Sequence, residues 1–285
     1  MTFLQILILA IVQGVCELLP VSSSAHVILA EKMMGLNPTA PQMTLFLVML
    51  HTGTMFAVIV YFWKSWRERY FSSWPAFWRI VKQVVLATAF TGVIGLALMF
   101  LIERVILRGA KHSDVEQLFG NVYIIASGLA AAGIMIILSG KRQSYAPPQS
   151  LDNRASAWIG AIQGLCLPFR GFSRSGSTIS MGLFLGIDKA RLEEFSFALA
   201  VVLTPPVILR EVYRLVKHSG SSLALNGTFY TLAWPSLVGM VFSFLAGLVA
   251  LKWLSQWLEH GRWHLFGYYC LFASVAVLAI NQVLH

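Results

Sequence analysis

Charge is scarce in this sequence. Asp, Glu, Lys and Arg make up 12% of 285 residues, about half of the roughly 25% usual in soluble domains. With 57% hydrophobic residues and a mean hydropathy of +0.72, that scarcity excludes a water-solvated globule, so lipid must serve as solvent. Cysteine is also rare. Cys16, Cys166 and Cys270 lie in apolar stretches with no metal-ligand spacing, which excludes a zinc site and a disulfide framework. The N-terminus, MTFLQILILAIVQGVCELLP, lacks a basic region and a small-residue cleavage site. It reads as part of the mature protein and not as a signal peptide. Neither a Gly-rich nucleotide loop nor a recognition-helix pattern accompanies the net charge of +9. Basic residues of membrane proteins gather in cytoplasmic loops, so no nucleic-acid partner is expected.

Long apolar runs are abundant. Six of them, near 42–63, 80–102, 119–138, 195–213, 228–251 and 263–282, reach the roughly 20 residues that a membrane crossing needs. Two further apolar regions, 3–34 and 155–187, are broken midway by ELLPVSSSAH and PFRGFSRSGST. Each half is too short to span, so each region is expected to be a re-entrant helix–loop–helix that enters and leaves on one side.

The two broken regions resemble each other. Gln13-Gly14-Val15-Cys16 aligns with Gln163-Gly164-Leu165-Cys166 at an offset of 150, and Ser23 meets Ser173 at the same offset. Each is followed by three spans. The expected fold is therefore an all-α polytopic membrane protein. Residues 1–285 form one integral membrane domain, with repeat one over 1–138, a linker at 139–153 and repeat two over 154–285. Three crossings per copy is an odd number, so the copies have inverted topology, the arrangement that places sites near the midplane. Basic residues fall twelve to seven in favour of the side opposite the N-terminus. The positive-inside rule makes that side cytoplasmic and opens the first hairpin to the exterior. The stretch 64–82, KSWRERYFSSWPAFWRIVK, reads as a cytoplasmic loop with Trp63, Trp66, Trp74 and Trp78 in an interfacial belt.

Glu17, His26, Arg170 and Arg174 are the ionisable residues inside the two hairpin motifs. Charges at membrane depth cost several kcal/mol, roughly 2.5 or more, and mark function. Around them lie Ser22, Ser23, Ser24, Ser173, Ser175, Ser177 and Thr178. Guanidinium forks, hydroxyl groups and free N–H groups at helix starts suit phosphate oxygens. A carboxylate and an imidazole add proton transfer or metal binding, and a serine beside a histidine is a candidate nucleophile pair. These residues alone leave two functions open: a phosphatase, or a transporter or flippase for a polyprenyl phosphate. A pure transporter needs the cations but neither nucleophile nor base.

QGVCELLPVSSSAH and GFSRSGSTIS resemble the (E/Q)xxxE…PVSS..H and PGxSRSxxT motifs of the bacterial undecaprenyl-diphosphate phosphatase family, known for bacitracin resistance. The flanks EFSFALAV and LHTGTMFAVIVYFW are also similar to that family. The resemblance implies hydrolysis of undecaprenyl diphosphate in a bacterial plasma (inner) membrane, and the orientation drawn from the basic residues opens the expected active site to the outer, periplasmic face. The resemblance implies catalytic roles for Glu17, Ser23, His26 and Arg174. It implies substrate binding by Gln13, Ser173, Ser175 and Thr178, a set that Ser22 and Arg170 join as the hydroxyl and the guanidinium beside the motif positions. It implies assistance by a divalent cation, Mg or Ca, on Glu17. The implied partners are a polyprenyl diphosphate lipid, the bilayer and a second copy in a homodimer. One position departs from the motif: Arg170 stands where the family has Pro before Gly171, and Pro168 falls two residues early.

Overall fold

The computed structural model describes residues 1–36, 41–106, 121–142, 149–219 and 228–284. The linker residues 143–148 and the basic residues Arg108 and Lys111 lie outside them. The described residues form ten α-helices and one π-helical turn. Their only β contact is a parallel bridge between Gln149 and Ile187. Helices α1 (Phe3–Leu18) and α2 (Ser23–Met33) are followed by α3 (Pro41–Arg69) and α4 (Trp74–Leu101). After the π-turn Ile102–Ile106 come α5 (Val122–Lys141), α6 (Asn153–Cys166) and α7 (Arg174–Phe184). Then follow α8 (Lys189–Ser219), α9 (Thr228–Glu259) and α10 (Trp263–Leu284). Six helices carry stretches long and apolar enough to cross a bilayer, so the protein is a multi-pass membrane protein.

The short helices are where the sequence breaks predict them. α1 has 16 residues and α6 has 14, below the roughly 20 a crossing needs. Pro20 follows α1 closely and disfavours helical backbone at the residue before it. α2 and α7 have 11 residues each, and each stops before a glycine of positive φ, Gly35 at 66° and Gly186 at 74°. There the Leu36 N–H donates to the Glu31 carbonyl (2.9 Å) and the Ile187 N–H to the Gly182 carbonyl (3.1 Å). Both bonds are of the six-to-one kind that closes a helix through a left-handed glycine.

Two boundaries differ from expectation. The stretch 64–82 is mostly helix: α3 runs on to Arg69 and α4 begins at Trp74. Ser73 caps α4, its Oγ accepting from the Ala76 N–H at 3.3 Å. Trp66 is buried and stacks on Tyr70, so it is no belt residue, whereas Trp63, Trp74 and Trp78 are exposed. The fourth span starts at Lys189 and not near 195. Its first turns bury Glu193 and Glu194, which the apolar count skips. Ser255 Oγ donates to Glu193 at 2.5 Å, Ser65 Oγ donates to Glu194, and Arg69 lies 3.5 Å from Glu194. The two serine hydroxyls each reach one carboxylate oxygen, and Arg69 sets a positive charge beside Glu194, which offsets part of the penalty of burial.

The chain sorts into two compact units. The first is Met1–Leu18, Ser23–Trp63 and Ala200–Leu254; the second is Leu19–Ser22, Lys64–Leu199 and Ser255–His285. The core of the first gathers Ile6, Leu9 and Ala10 of α1, Val27 of α2, and Met43, Phe46 and Leu50 of α3. In it α1 lies hard against α9. A Cβ on Gly14 would fall 2.6 Å from the Ser243 carbonyl oxygen, 2.7 Å from the Ala246 Cβ and 3.2 Å from the Gly247 nitrogen. The core of the second unit gathers Ile80 and Ala87 of α4, Ala155 and Ile159 of α6, and Leu192, Phe195 and Leu199 of α8. In it α6 lies equally close to α4. A Cβ on Gly164 would fall 2.9 Å from the Thr91 carbonyl oxygen, 2.9 Å from the Ile94 Cβ and 3.2 Å from the Gly95 nitrogen. Small residues let membrane helices approach this closely.

Candidate functional site: a carboxylate cluster and a serine–arginine helix start

In the first unit, Gln13 and Glu17 stand one turn apart on α1, a spacing that puts both side chains on one face. Ser23 is the first residue of α2. Its Oγ donates to Glu17 Oε2 at 2.5 Å, the short distance of a charge-assisted bond. The Gln13 amide nitrogen donates to the same oxygen at 3.2 Å and faces His51 Nδ1 at 2.9 Å. Because an amide nitrogen only donates, Nδ1 is the acceptor and the imidazole proton sits on Nε2. His51 Nδ1 is 3.6 Å from Glu17 Oε2. One carboxylate, one amide, one hydroxyl and one imidazole from three helices thus share a single network. His26 follows Ser23 by three residues on α2 and is half-buried.

His51 is the member that the motifs miss. It lies inside the first span, and an imidazole at membrane depth carries the same functional weight as the charges of the hairpins. A search confined to the two broken regions passes over it.

In the second unit, Ser173 caps α7, its Oγ accepting from the Gly176 N–H at 3.2 Å. Arg174 is the first residue of that helix and is half-buried. Ser175 is buried and its Oγ donates to the Leu19 carbonyl at 3.4 Å. Ser177 Oγ donates to the Ser173 carbonyl at 2.7 Å, and Thr178 Oγ1 to the Arg174 carbonyl at 2.9 Å. Thr178 also meets Ser196 of α8, hydroxyl to hydroxyl, at 2.6 Å, a partner that motif reading does not name. Ser22 is buried in the turn Leu19–Ser22 with φ of 65°, a conformation uncommon for a residue with a side chain. Arg170 is exposed, in the loop between α6 and α7.

That loop is pinned from beneath. Gly171 has φ of 98°, and a Cβ there would fall 2.2 Å from the Ile125 carbonyl oxygen of α5. Gly171→Ala is therefore expected to lower the melting temperature of the detergent-solubilised protein, through backbone strain of roughly 1–3 kcal/mol plus the clash. An unchanged melting temperature would show that the loop does not need this seat.

Among the described residues, no group of three or more His, Cys, Asp or Glu side chains is assembled to hold a metal ion. Glu17 is the carboxylate of the first cluster, with His51 Nδ1 and the Ser23 hydroxyl as neighbours. A magnesium ion needs only one or two carboxylates when substrate phosphates complete its shell, and this donor set fits that arrangement.

A family model described as "Bacitracin resistance protein BacA" matches residues 6–276. The chain is 58% identical over 282 residues to Undecaprenyl-diphosphatase 2 of Acinetobacter baylyi, covering 98% of each. It is 31% identical over 284 residues to an undecaprenyl-diphosphatase of Korarchaeum cryptofilum, covering 98% of this chain and 100% of the relative. It is 29% identical over 295 residues to an undecaprenyl-diphosphatase of Bacteroides fragilis, covering 99% and 100%.

Proposed function

Because this chain belongs to the bacitracin resistance protein BacA family, we propose that it hydrolyses undecaprenyl diphosphate to undecaprenyl phosphate and inorganic phosphate. On this reading it recycles the lipid carrier of peptidoglycan synthesis in the bacterial plasma membrane and confers bacitracin resistance. The observation that carries the reading is the 2.5 Å bond from Ser23 to Glu17. A hydroxyl already bonded to a carboxylate is a nucleophile with its proton acceptor in place, which a pure lipid transporter does not need.

Ser23 Oγ attacks the terminal phosphorus and gives its proton to Glu17. The Oγ–P bond forms, the anhydride P–O bond breaks, and undecaprenyl phosphate departs with the bridging oxygen. Water then cleaves the Oγ–P bond and frees phosphate. His26, on the face of α2 that carries Ser23, is assigned to proton transfer with that water. Arg174, with Ser173, Ser175 and Thr178, is assigned the diphosphate: a guanidinium fork at a helix start suits its oxygens. Gln13, Ser22 and Arg170 complete the substrate-binding set. A divalent cation would be held by Glu17 and the substrate phosphates, where it would neutralise charge that develops in phosphoryl transfer. The test is phosphate release by the detergent-purified protein from a polyprenyl diphosphate, with and without a chelator. Absence of release in both arms would leave the transporter reading.

The inverted repeat is part of the proposal. What supports it is the pair of seats at Gly14 and Gly164, whose neighbours follow the same order of carbonyl oxygen, Cβ three residues on and nitrogen four residues on. At the offset of 150, Glu17 corresponds to Leu167, His26 to Gly176 and Arg174 to Ser24. The first copy thus keeps the acid–base groups and the second keeps the arginine.

The first hairpin is assigned to the outer face from the twelve-to-seven charge bias. A cysteine in place of Met33, exposed at the end of α2, should react with an impermeant thiol reagent added to intact cells. One in place of Arg142, exposed at the end of α5, should react only after the membrane is opened. The reverse pattern would invert the orientation.

A further inference from the structure

Ser196 has no part in the chemistry so far, yet its hydroxyl is bonded to the helix that begins with Arg174. It lies on α8 between Phe195 and Phe197, and all three are at most 1% exposed. A hydroxyl so deep is costly unless it is bonded. Hydroxyls within helices commonly bond the carbonyl one turn back on their own helix, as Thr91, Ser156, Ser177 and Thr204 do here. Ser196 reaches across instead: among the described residues its partner is Thr178 Oγ1 of α7, at 2.6 Å. One turn on from Thr178, Gly182 faces Leu192, which is one turn back from Ser196. A Cβ on Gly182 would run into the Leu192 side chain. The missing side chain lets α7 sit close enough on α8 for the two hydroxyls to meet.

The proton positions in this pair follow from what each oxygen can reach. Each hydroxyl has one proton to give. Thr178 Oγ1 has two carbonyl acceptors, Arg174 at 2.9 Å and Ser175 at 3.3 Å. Ser196 has Thr178 as its acceptor. Were Thr178 to donate to Ser196, the buried Ser196 proton would be left unpaired among the described residues, a costly state. Ser196 therefore donates to Thr178, and Thr178 donates to the Arg174 carbonyl. The donor end of this chain is fixed, because Leu192, Phe195 and Leu199 on the same helix belong to the core of the second unit.

We propose that Ser196 is a positioning residue for the diphosphate: through Thr178 it sets the first turn of α7 and with it the aim of Arg174. This rests on the reading of Arg174 as the group that holds the diphosphate. A helical threonine has two favoured χ1 rotamers, because its hydroxyl can bond the carbonyl one turn back. The bond from Ser196 selects the back-bonded rotamer. Back-bonding of this kind bends a helix, and here the bend falls in the turn that begins with Arg174. A guanidinium fork meets two phosphate oxygens at once only in one orientation. The Thr178 proton is on the Arg174 carbonyl, so Thr178 serves the diphosphate through Arg174 and not by a bond of its own.

The experiment measures KM and kcat for phosphate release from a polyprenyl diphosphate, with the melting temperature of each detergent-purified variant. Ser196→Ala and Ser196→Cys bracket the serine in size and lack its hydroxyl, a thiol being a weak donor. Both are expected to raise KM about tenfold, below the roughly hundredfold that a misplacement of about 1 Å can cost, with kcat within about threefold of the parent. Thr178→Val should do the same. Ser196→Ala combined with Thr178→Val should be little worse than either alone, since residues that act as one unit are not additive. A residue that only holds the fold would lower the melting temperature and the active fraction, and so the apparent kcat, and leave KM at the parent value. That pattern would overturn the positioning role. So would a parent-like KM in Ser196→Cys, which would show that the seat needs volume and not a hydroxyl. Should Ser196→Ala fail to elute as a single species, Ser196→Cys decides alone. Arg174→Ala separates two failures. If it stays active, the reading beneath the proposal falls; if it is inactive while both Ser196 variants keep the parent KM, only the positioning role falls.

Discussion

Glu17→Gln should cut phosphate release by about a hundredfold or more, the usual effect of losing an acid–base group. The change keeps the shape of the side chain and removes its charge. An amide oxygen at position 17 can still accept from Ser23 Oγ, now 2.5 Å from the carboxylate, but it cannot take the proton. The loss should therefore fall on kcat, with KM little changed, because the diphosphate is assigned to groups on α7. Ser23→Ala should lose as much, and the double variant little more than either, since residues that act as one unit are not additive. Gln13→Ala should cost less, because Gln13 orients Glu17 and His51 and carries no proton itself. An active Glu17→Gln beside an inactive Gln13→Ala would exchange the two roles.

Much of this architecture is legible from hydropathy because lipid imposes it. All six spans were expected, and the two interrupted regions were marked by length and by Pro20 and Gly171. The ends of the spans were harder to read. α3 runs past the apolar stretch into Arg67 and Arg69, and α8 begins at Lys189, ahead of the buried Glu193 and Glu194. Helical backbone continues wherever its own hydrogen bonds and long side chains allow, and an apolar count registers only the hydrocarbon depth. Glu193 and Glu194 are tolerated inside because Ser255, Ser65 and Arg69 reach them, and those partners lie far away in sequence. The site divides in the same way. Gln13, Glu17 and Ser23 are close in sequence and follow from helix periodicity, and Ser173 to Thr178 form one helix start. His51 and Ser196 join through tertiary contacts, which no local pattern encodes.

Arg174 should carry the second large effect. It is the first residue of α7, where Ser173 caps the helix and the free N–H groups already favour an anion. Removing a charged partner from a desolvated anion typically costs about 2–5 kcal/mol, roughly 30- to 5,000-fold. Arg174→Ala is therefore expected to abolish measurable phosphate release, with loss in kcat/KM and not in kcat alone. Arg174→Lys should recover little, because an ammonium is a point charge and cannot present two parallel N–H bonds to one phosphate. The helix start should survive either change. Ser173 Oγ holds the Gly176 N–H, and Thr178 Oγ1 donates to the backbone carbonyl of Arg174, so neither bond needs the guanidinium. Arg170→Ala is the internal comparison. Arg170 is exposed in the loop, and a surface charge near an anion is screened, so its loss should cost less than tenfold by the same reasoning on exposed pairs. Near-parent activity of a folded Arg174→Ala would take Arg174 out of the site, and a drop at Arg170 as deep as at Arg174 would make the loop, not the helix start, the place where the diphosphate is held.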